Sequence, residues 1–307
     1  MSFSSGVKEE LSGHISSSRH CQIAEMAALF CYSGRIVPGQ DGRTGLSIQM
    51  ENEQVIRKCF TLLKKSFKIG TDVHGKGSYS LEIRREEDVK KLLQVLKLLD
   101  SSGKIAARTD IVNPLLIKNA CCRRAYLRGA YLAAGSMSDP EKSYHLEFVC
   151  GTSEQARQLQ EVIRDFGIEA RTIIRKKHYV VYMKEGSGIV DLLNVVGAHI
   201  SLMNLENLRI VKEMRNSINR RVNCEAANIT KTVTASSKQI EDIVLIQKTL
   251  GLESLQESLR EAAEIRLEYP EATLKELGQY LNPPVGKSGV NHRLRKLSEI
   301  AEGIRDK

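Results

Sequence analysis

Apolar positions change their spacing along this chain, and the changes mark out its elements. In the first two thirds, short alternating runs sit between short helical ones. Leu46-Ser-Ile-Gln-Met50 and His145-Leu-Glu-Phe-Val-Cys150 alternate like half-buried strands, and Ser78–Ile83 and Lys177–Tyr182 read the same way. From Leu202 the period shifts to three and four. Leu205, Leu208, Val211, Met214 and Ile218 predict one long helix over 202–221. A polar stretch over 223–234 reads as a linker, and beyond it the pattern is helical throughout. Ile240, Ile243, Val244 and Gln247 mark one helix; Leu255, Leu259, Ala262, Ala263 and Leu267 mark another.

The first part repeats itself. Met26-Ala-Ala-Leu-Phe-Cys-Tyr-Ser-Gly34 and Leu127-Arg-Gly-Ala-Tyr-Leu-Ala-Ala-Gly135 are small, apolar helical runs whose terminal glycines lie 101 residues apart. At nearly the same offset each strand of one half finds its partner in the other. Glu53-Gln54 answers Glu154-Gln155, Phe67–Ile69 answers Phe166–Ile168, and Lys91–Leu93 answers Asp191–Leu193. The terminal glycines suit helix C-caps. Pro38–Gly42, Gly75–Gly77 and Met137–Pro140 carry turn signals. The expected fold class is α+β: two pseudo-symmetric αββαββα repeats followed by an all-α helix-turn-helix domain. The expected boundaries are 1–201 for the repeats (about 20–100 and 121–200), 202–233 for a connecting helix and linker, and 234–307 for the last domain.

Pro270 stops a helix, and Thr273-Leu-Lys-Glu276 has the form of a capping box opening the next. Asn282-Pro-Pro-Val-Gly286 is a turn, longer than the usual three or four residues of a helix-turn-helix. Ser288 is placed to cap the final helix. In that helix Val290, Leu294, Leu297, Ala301 and Ile304 share a face, and Ser288, His292 and Arg295 lie opposite, flanked by Asn291 and Lys296. Four cations (Lys287, Arg293, Arg295, Lys296) and no acid fall between 287 and 296, whereas 253–276 holds seven glutamates and three cations. Positive charge is thus focused on a candidate recognition helix. Arginine, asparagine and serine match base edges and phosphates in a major groove. The candidate DNA-binding set is Lys287, Ser288, Asn291, His292, Arg293, Arg295 and Lys296. A second basic run, Arg171–Lys184, includes Arg175, Lys176 and Lys177, and the 202–221 helix carries Arg209, Lys212, Arg215, Arg220 and Arg221. These are candidates for secondary phosphate contacts or for a protein partner, and strand-edge lysines also serve simply as guards. Gly286-Lys287-Ser288 imitates a phosphate loop, but Leu281 stands where that loop needs glycine.

Composition narrows the setting. The chain has 307 residues, 41% hydrophobic and 27% charged, with a formal charge of +9, which permits a polyanionic partner without demanding one. The longest apolar run, Ile189–Ile200, is 12 residues and contains Asp191 and Asn194, too short and polar to span a bilayer. The N-terminus shows no basic region followed by an apolar one, so no secretory signal and no membrane partner are expected. Seven cysteines include no C-x-x-C pair, the adjacent Cys121 and Cys122 are poor partners, and the histidines are scattered. Reduced thiols in a cytoplasm, with no metal and no cofactor, are the expectation.

The helix ending at Gly34 and its partner ending at Gly135 resemble the paired helices of LAGLIDADG homing endonucleases. The segments Arg128–Ser136, Arg220-Arg-Val-Asn-Cys224 and Lys287–Lys296 resemble the WhiA family of bacterial sporulation and cell-division regulators, over nearly the whole chain. That resemblance implies a degenerate homing-endonuclease domain joined to a C-terminal helix-turn-helix, acting as a DNA-binding transcription regulator in cell division, chromosome segregation or sporulation. It implies double-stranded DNA in promoter regions as partner, a nucleoid-associated location, and contact with RNA polymerase or another transcription factor, a WhiB-type protein in some branches. In active endonucleases an acidic residue precedes each terminal glycine and binds divalent metal. Here those positions are Ser33 and Ala134, so no nuclease activity is expected. The rivals are an active LAGLIDADG-type endonuclease or maturase, and an adaptor working through protein partners.

Overall fold

The computed structural model describes residues 2–38, 44–106 and 108–306. The predicted turn at Gly39–Gly42 lies outside them. The chain forms two compact units, Met1–Lys212 and Glu213–Lys307.

The first unit opens with helix α1 (Phe3–Gly13), which the apolar pattern did not announce. The first repeat follows as α2 (Arg19–Ser33), β1 (Gly34–Pro38), β2 (Thr44–Met50), α3 (Glu53–Leu62), a π-helical turn, β3 (Val73–His74), β4 (Tyr79–Ile83) and α4 (Glu86–Val95). The second is α5 (Ala120–Ala134), β5 (Gly135–Met137), β6 (Leu146–Cys150), α6 (Ser153–Arg164), β7 (Arg171–Arg175), β8 (His178–Met183) and α7 (Gly186–Val196). Each repeat folds an antiparallel four-stranded sheet, in the orders β1-β2-β4-β3 and β5-β6-β8-β7. Register repeats with order: Leu46 pairs with Ile83 as Leu146 pairs with Met183. Even the caps correspond. Asn52 accepts from the amides of Gln54 and Val55, and Thr152 accepts from that of Gln155, to start α3 and α6.

α2 and α5 pack against each other at the centre. Every residue from Ala125 to Leu132 is buried, as is every residue from Ala24 to Phe30. Such all-round burial needs small residues where the backbones meet. A Cβ at Gly129 would stand 2.6 Å from the Glu25 carbonyl oxygen and 2.9 Å from Ala28 Cβ. The terminal glycines cap the helices as expected, their amides donating to the carbonyls of Phe30 and Tyr131, though in an extended conformation. Gly34 and Gly135 are extended, at ψ 147, with no left-handed turn. They are glycine because a Cβ would lie 2.5 Å from the Phe30 carbonyl oxygen, or 2.5 Å from Tyr131 Cδ2, where the helix turns directly into a strand.

At the centre lies a buried ion network. Glu25 Oε1 meets Lys58 Nζ at 2.5 Å and Arg128 Nε at 3.2 Å, so α2, α3 and α5 are tied through one carboxylate. Lys58 also donates to the carbonyls of Leu11 and His14 at 2.6 and 2.7 Å, and Arg128 donates to that of Val196 at 2.9 Å. Desolvation lowers the Lys58 ammonium pKa, with Glu25 opposing it, and lowers that of His14, where Arg128 and Lys58 add to the effect.

The stretch expected as a linker is helical. α8 runs unbroken from His199 to Thr249. Its 51 residues hold no glycine or proline to break it, and Thr230 and Thr232 bond back to carbonyls four residues earlier, both at 2.9 Å. Residues 223–234 are all exposed, which explains their polarity.

The second unit continues with α9 (Glu257–Glu268), α10 (Leu274–Tyr280) and α11 (Lys287–Arg305). Ile243, Ile246, Leu259, Ala263, Leu277, Leu294 and Leu297 are among its core. The capping box forms as expected. Thr273 Oγ1 accepts from the Glu276 amide at 3.4 Å, and Glu276 Oε2 accepts from the Thr273 amide at 2.8 Å. Thr273→Ala is expected to cost about 1 kcal/mol in urea unfolding; an unchanged midpoint would show that the box contributes nothing.

Candidate nucleic-acid interface

α10 and α11 are joined by a turn that closes on glycine. The Val285 amide donates to the Gly278 carbonyl at 2.8 Å, and a Cβ on Gly278 would collide with the Val285 carbonyl oxygen. Gly289 leaves equivalent room for the Val285 side chain. This early closure moves the start of α11. Gly286 is the N-cap, through its extended backbone alone, and Ser288 lies inside the first turn. The expected Ser288 cap is therefore replaced by a backbone one, which leaves the serine hydroxyl on the exposed face.

Val290, Leu294, Leu297 and Ala301 are buried, fixing the rotation of α11 about its axis. The opposite face then presents Ser288, Asn291, His292 and Arg295 at steps of three and four, all exposed, with Lys287 and Lys296 beside them. Arg295 donates to Glu299 at 3.2 Å, with its side chain 78% exposed. An exposed pair at this spacing is worth about 0.3–0.5 kcal/mol, too little to withhold the guanidinium from a phosphate or base. Arg293 behaves differently from the other predicted contacts. It is partly buried and reaches back to α9, meeting Glu261 Oε2 and the Ser258 carbonyl, both at 3.3 Å.

The other basic groups separate by surroundings. Arg175 is held by Glu147 at 2.8 Å, and Glu147 also meets His145 at 3.0 Å, so the cation is neutralised in place. Lys176 and Lys177 form the tip of the β7–β8 hairpin, both at positive φ. Outward positions of the sheets include the uncharged Gln49, Ser136 and Val149 and the charged Arg35, Glu82 and Arg171. Arg209 pairs with Glu206 at 2.8 Å, and Lys212 donates to the Pro140 carbonyl at 2.7 Å, lying over the Tyr144 ring. Arg215, Arg220 and Arg221 are exposed along α8.

Ser33 and Ala134 are the last residues of α2 and α5. A cavity of about 720 Å³ opens beside Ala134, and α1 contributes Ser4, Ser5 and Lys8 to it. Among the described residues its lining acid is Glu51; burial lowers the Lys8 ammonium pKa, and the Glu51 charge opposes that. Asp139 is spent in a turn, where it accepts from the Glu141 amide at 3.0 Å. The helix ends therefore supply no pair of carboxylates for metal-assisted hydrolysis.

Sequence spacing also concealed a group of side chains of metal-ligating type. His20, Cys21, Cys121 and Cys122 come together at the N-termini of α2 and α5, with all their ligand atoms within 4.8 Å of one another. The signal was present only as a correspondence across the repeat: 20–21 and 121–122 are equivalent positions.

Family models match in three consecutive blocks: the WhiA N-terminal LAGLIDADG-like domain over residues 19–99, the WhiA LAGLIDADG-like domain over 123–215, and the WhiA C-terminal HTH domain over 218–301. A curated relative from Lachnoclostridium phytofermentans, "Probable cell division protein WhiA", is 53% identical, covering 99% of this chain and 100% of its own. One of the same name from Clostridium acetobutylicum is 46% identical, covering 99% of each. The solved structure of full-length DUF199/WhiA from Thermatoga maritima superposes with a TM-score of 0.60 at 26% identity, covering 98% of both chains. Fold and sequence together define a protein with a LAGLIDADG-like domain of paired repeats and a helix-turn-helix domain. The chain belongs to the WhiA family.

Proposed function

We propose that this chain is a sequence-specific DNA-binding regulator of transcription, serving cell division, chromosome segregation or sporulation, with an endonuclease-like scaffold that does not cut. The observation that carries this reading is the face of α11: Ser288, Asn291, His292 and Arg295 exposed on the second helix of a helix-turn-helix whose apolar side is locked into a core. The relatives' printed name supports the setting in cell division. Lys287 and Lys296 position the helix on phosphates, and Arg295 and Asn291 read base edges. Arg293 braces α11 from behind. The proposed partners are double-stranded promoter DNA at the nucleoid and, for the repeat domain, RNA polymerase or a second transcription factor. The domain division is 1–201, 202–233 and 234–307, with the middle segment a helix.

The scaffold's inactivity follows from Ser33 and Ala134, which offer no charged oxygen to a divalent ion. The mixed charges of its outer sheet positions, with Glu82 and Glu147 among the arginines and Arg175 paired to Glu147, favour a protein platform over a DNA saddle.

Salt dependence of binding to duplex DNA tests the assignment. Lys287→Ala is expected to reduce the slope of log K against log salt by about 1. Lys176→Ala with Lys177→Ala is expected to leave it unchanged. An unaffected slope for Lys287→Ala, or a flatter one for the double variant, would move the phosphate contacts to the repeat domain.

A further inference from the structure

We propose that His20, Cys21, Cys121 and Cys122 form a binding site for a single zinc ion, clasping the N-termini of the two central helices across the pseudo-twofold axis. The donor set is three sulfurs and one nitrogen, a combination that favours zinc in tetrahedral coordination. His20 Nδ1 lies 3.2 Å from Cys122 Sγ and 3.3 Å from Cys21 Sγ. Zinc with bonds of about 2.3 Å to sulfur and about 2.0–2.1 Å to nitrogen separates its ligand atoms by about 3.5–3.8 Å. The four donors, all within 4.8 Å of one another, reach that arrangement through small side-chain movements. They stand too close together to surround a multi-iron cluster.

Each repeat supplies two adjacent residues from the same place, the second and third positions of its long helix. Neither helix carries a side-chain cap. Cys21 and Cys122 are buried with Ala24 and Ala125 beneath them, while His20 and Cys121 are exposed. The site thus has an apolar floor and an open side through which an ion enters. Binding of the ion by thiolate ligands releases the thiol protons of Cys21, Cys121 and Cys122 to solvent. The clasp sits at the opposite end of α2 and α5 from Ser33 and Ala134. It is separate from the degenerate catalytic positions.

Elemental analysis of the full-length chain, purified under reducing conditions without chelator, is expected to give one zinc per chain. Titration of the metal-free chain with cobalt(II) is expected to give thiolate-to-cobalt charge-transfer absorption and the intense visible bands of tetrahedral cobalt. Cys121→Ser and His20→Ala alter exposed side chains, so both variants fold. Each is expected to weaken cobalt binding by more than the about 10–100-fold that loss of a supporting second-shell group costs. Cys224→Ser, at an exposed cysteine of α8, is expected to leave it unchanged. A reduced, folded wild-type chain with no zinc and an octahedral, thiolate-free cobalt spectrum overturns the proposal. So does a disulfide mapped among Cys21, Cys121 and Cys122 in chain isolated without oxygen.

Discussion

Replacing Glu25 with alanine is expected to destabilise the repeat domain by about 3–5 kcal/mol, the cost of breaking a buried ion pair from one side. Glu25 is fully buried and is the shared partner of Lys58 and Arg128. Its removal leaves two cations facing each other in a dry interior. The carbonyls of Leu11, His14 and Val196 hold both in place and cannot neutralise them. Desolvation already lowers the Lys58 pKa against the attraction of Glu25, and removing that carboxylate takes away the largest opposing contribution. Urea unfolding of the full-length chain, followed by circular dichroism, measures the loss. A decrease below about 1 kcal/mol would place the network among the weakly contributing ion pairs of a protein surface. Replacing all three residues with apolar ones of similar volume is expected to restore much of the stability, because the penalty lies in the unpaired charge.

Gly129→Val is expected to be the next most damaging single change. Two effects oppose each other. A residue with a Cβ relieves the helix of glycine's backbone entropy, worth roughly 0.5–1 kcal/mol relative to alanine. Against this, the new Cβ would lie 2.6 Å from the Glu25 carbonyl oxygen, a backbone atom that cannot move unless α2 moves with it. Overpacking a close-packed core costs about 1–3 kcal/mol and occasionally more, and valine's branches place further atoms in the same gap. Separating the helices also disturbs Glu25 and Arg128. The net expectation is a loss of at least about 2 kcal/mol in the same urea experiment. A neutral or stabilising outcome would mean that the helices are not in backbone contact there.

Local chemistry made much of this fold legible, and distance in sequence hid the remainder. The paired helices, the strands and their order within each repeat could be read because the apolar period changes from two to three or four at their borders. The Thr273 capping box was readable for a similar reason, since its partners are three residues apart. α1 went unread because its apolar face is just three residues, Phe3, Val7 and Leu11, a period too short to stand out from the polar residues around it. The polar half of α8 read as a linker because residues 223–234 are all exposed, so no apolar period records the helix. On α11, periodicity gave the exposed stripe but not the fate of Arg293, whose partner Glu261 is on another helix. The His20 group was invisible to spacing rules for the same reason. Its ligands belong to two repeats, and only folding places them side by side.

The central claim is that α11 makes this chain a reader of DNA sequence. Recovery of sheared genomic DNA on the purified full-length protein at about 150 mM salt, where nonspecific phosphate contacts are weakened, tests it most directly when followed by sequencing. A few strongly enriched fragments sharing a motif are expected, with Arg295→Ala relaxing discrimination for that motif by about 1–3 kcal/mol. Uniform recovery, no recovery, or discrimination untouched by Arg295→Ala would contradict it.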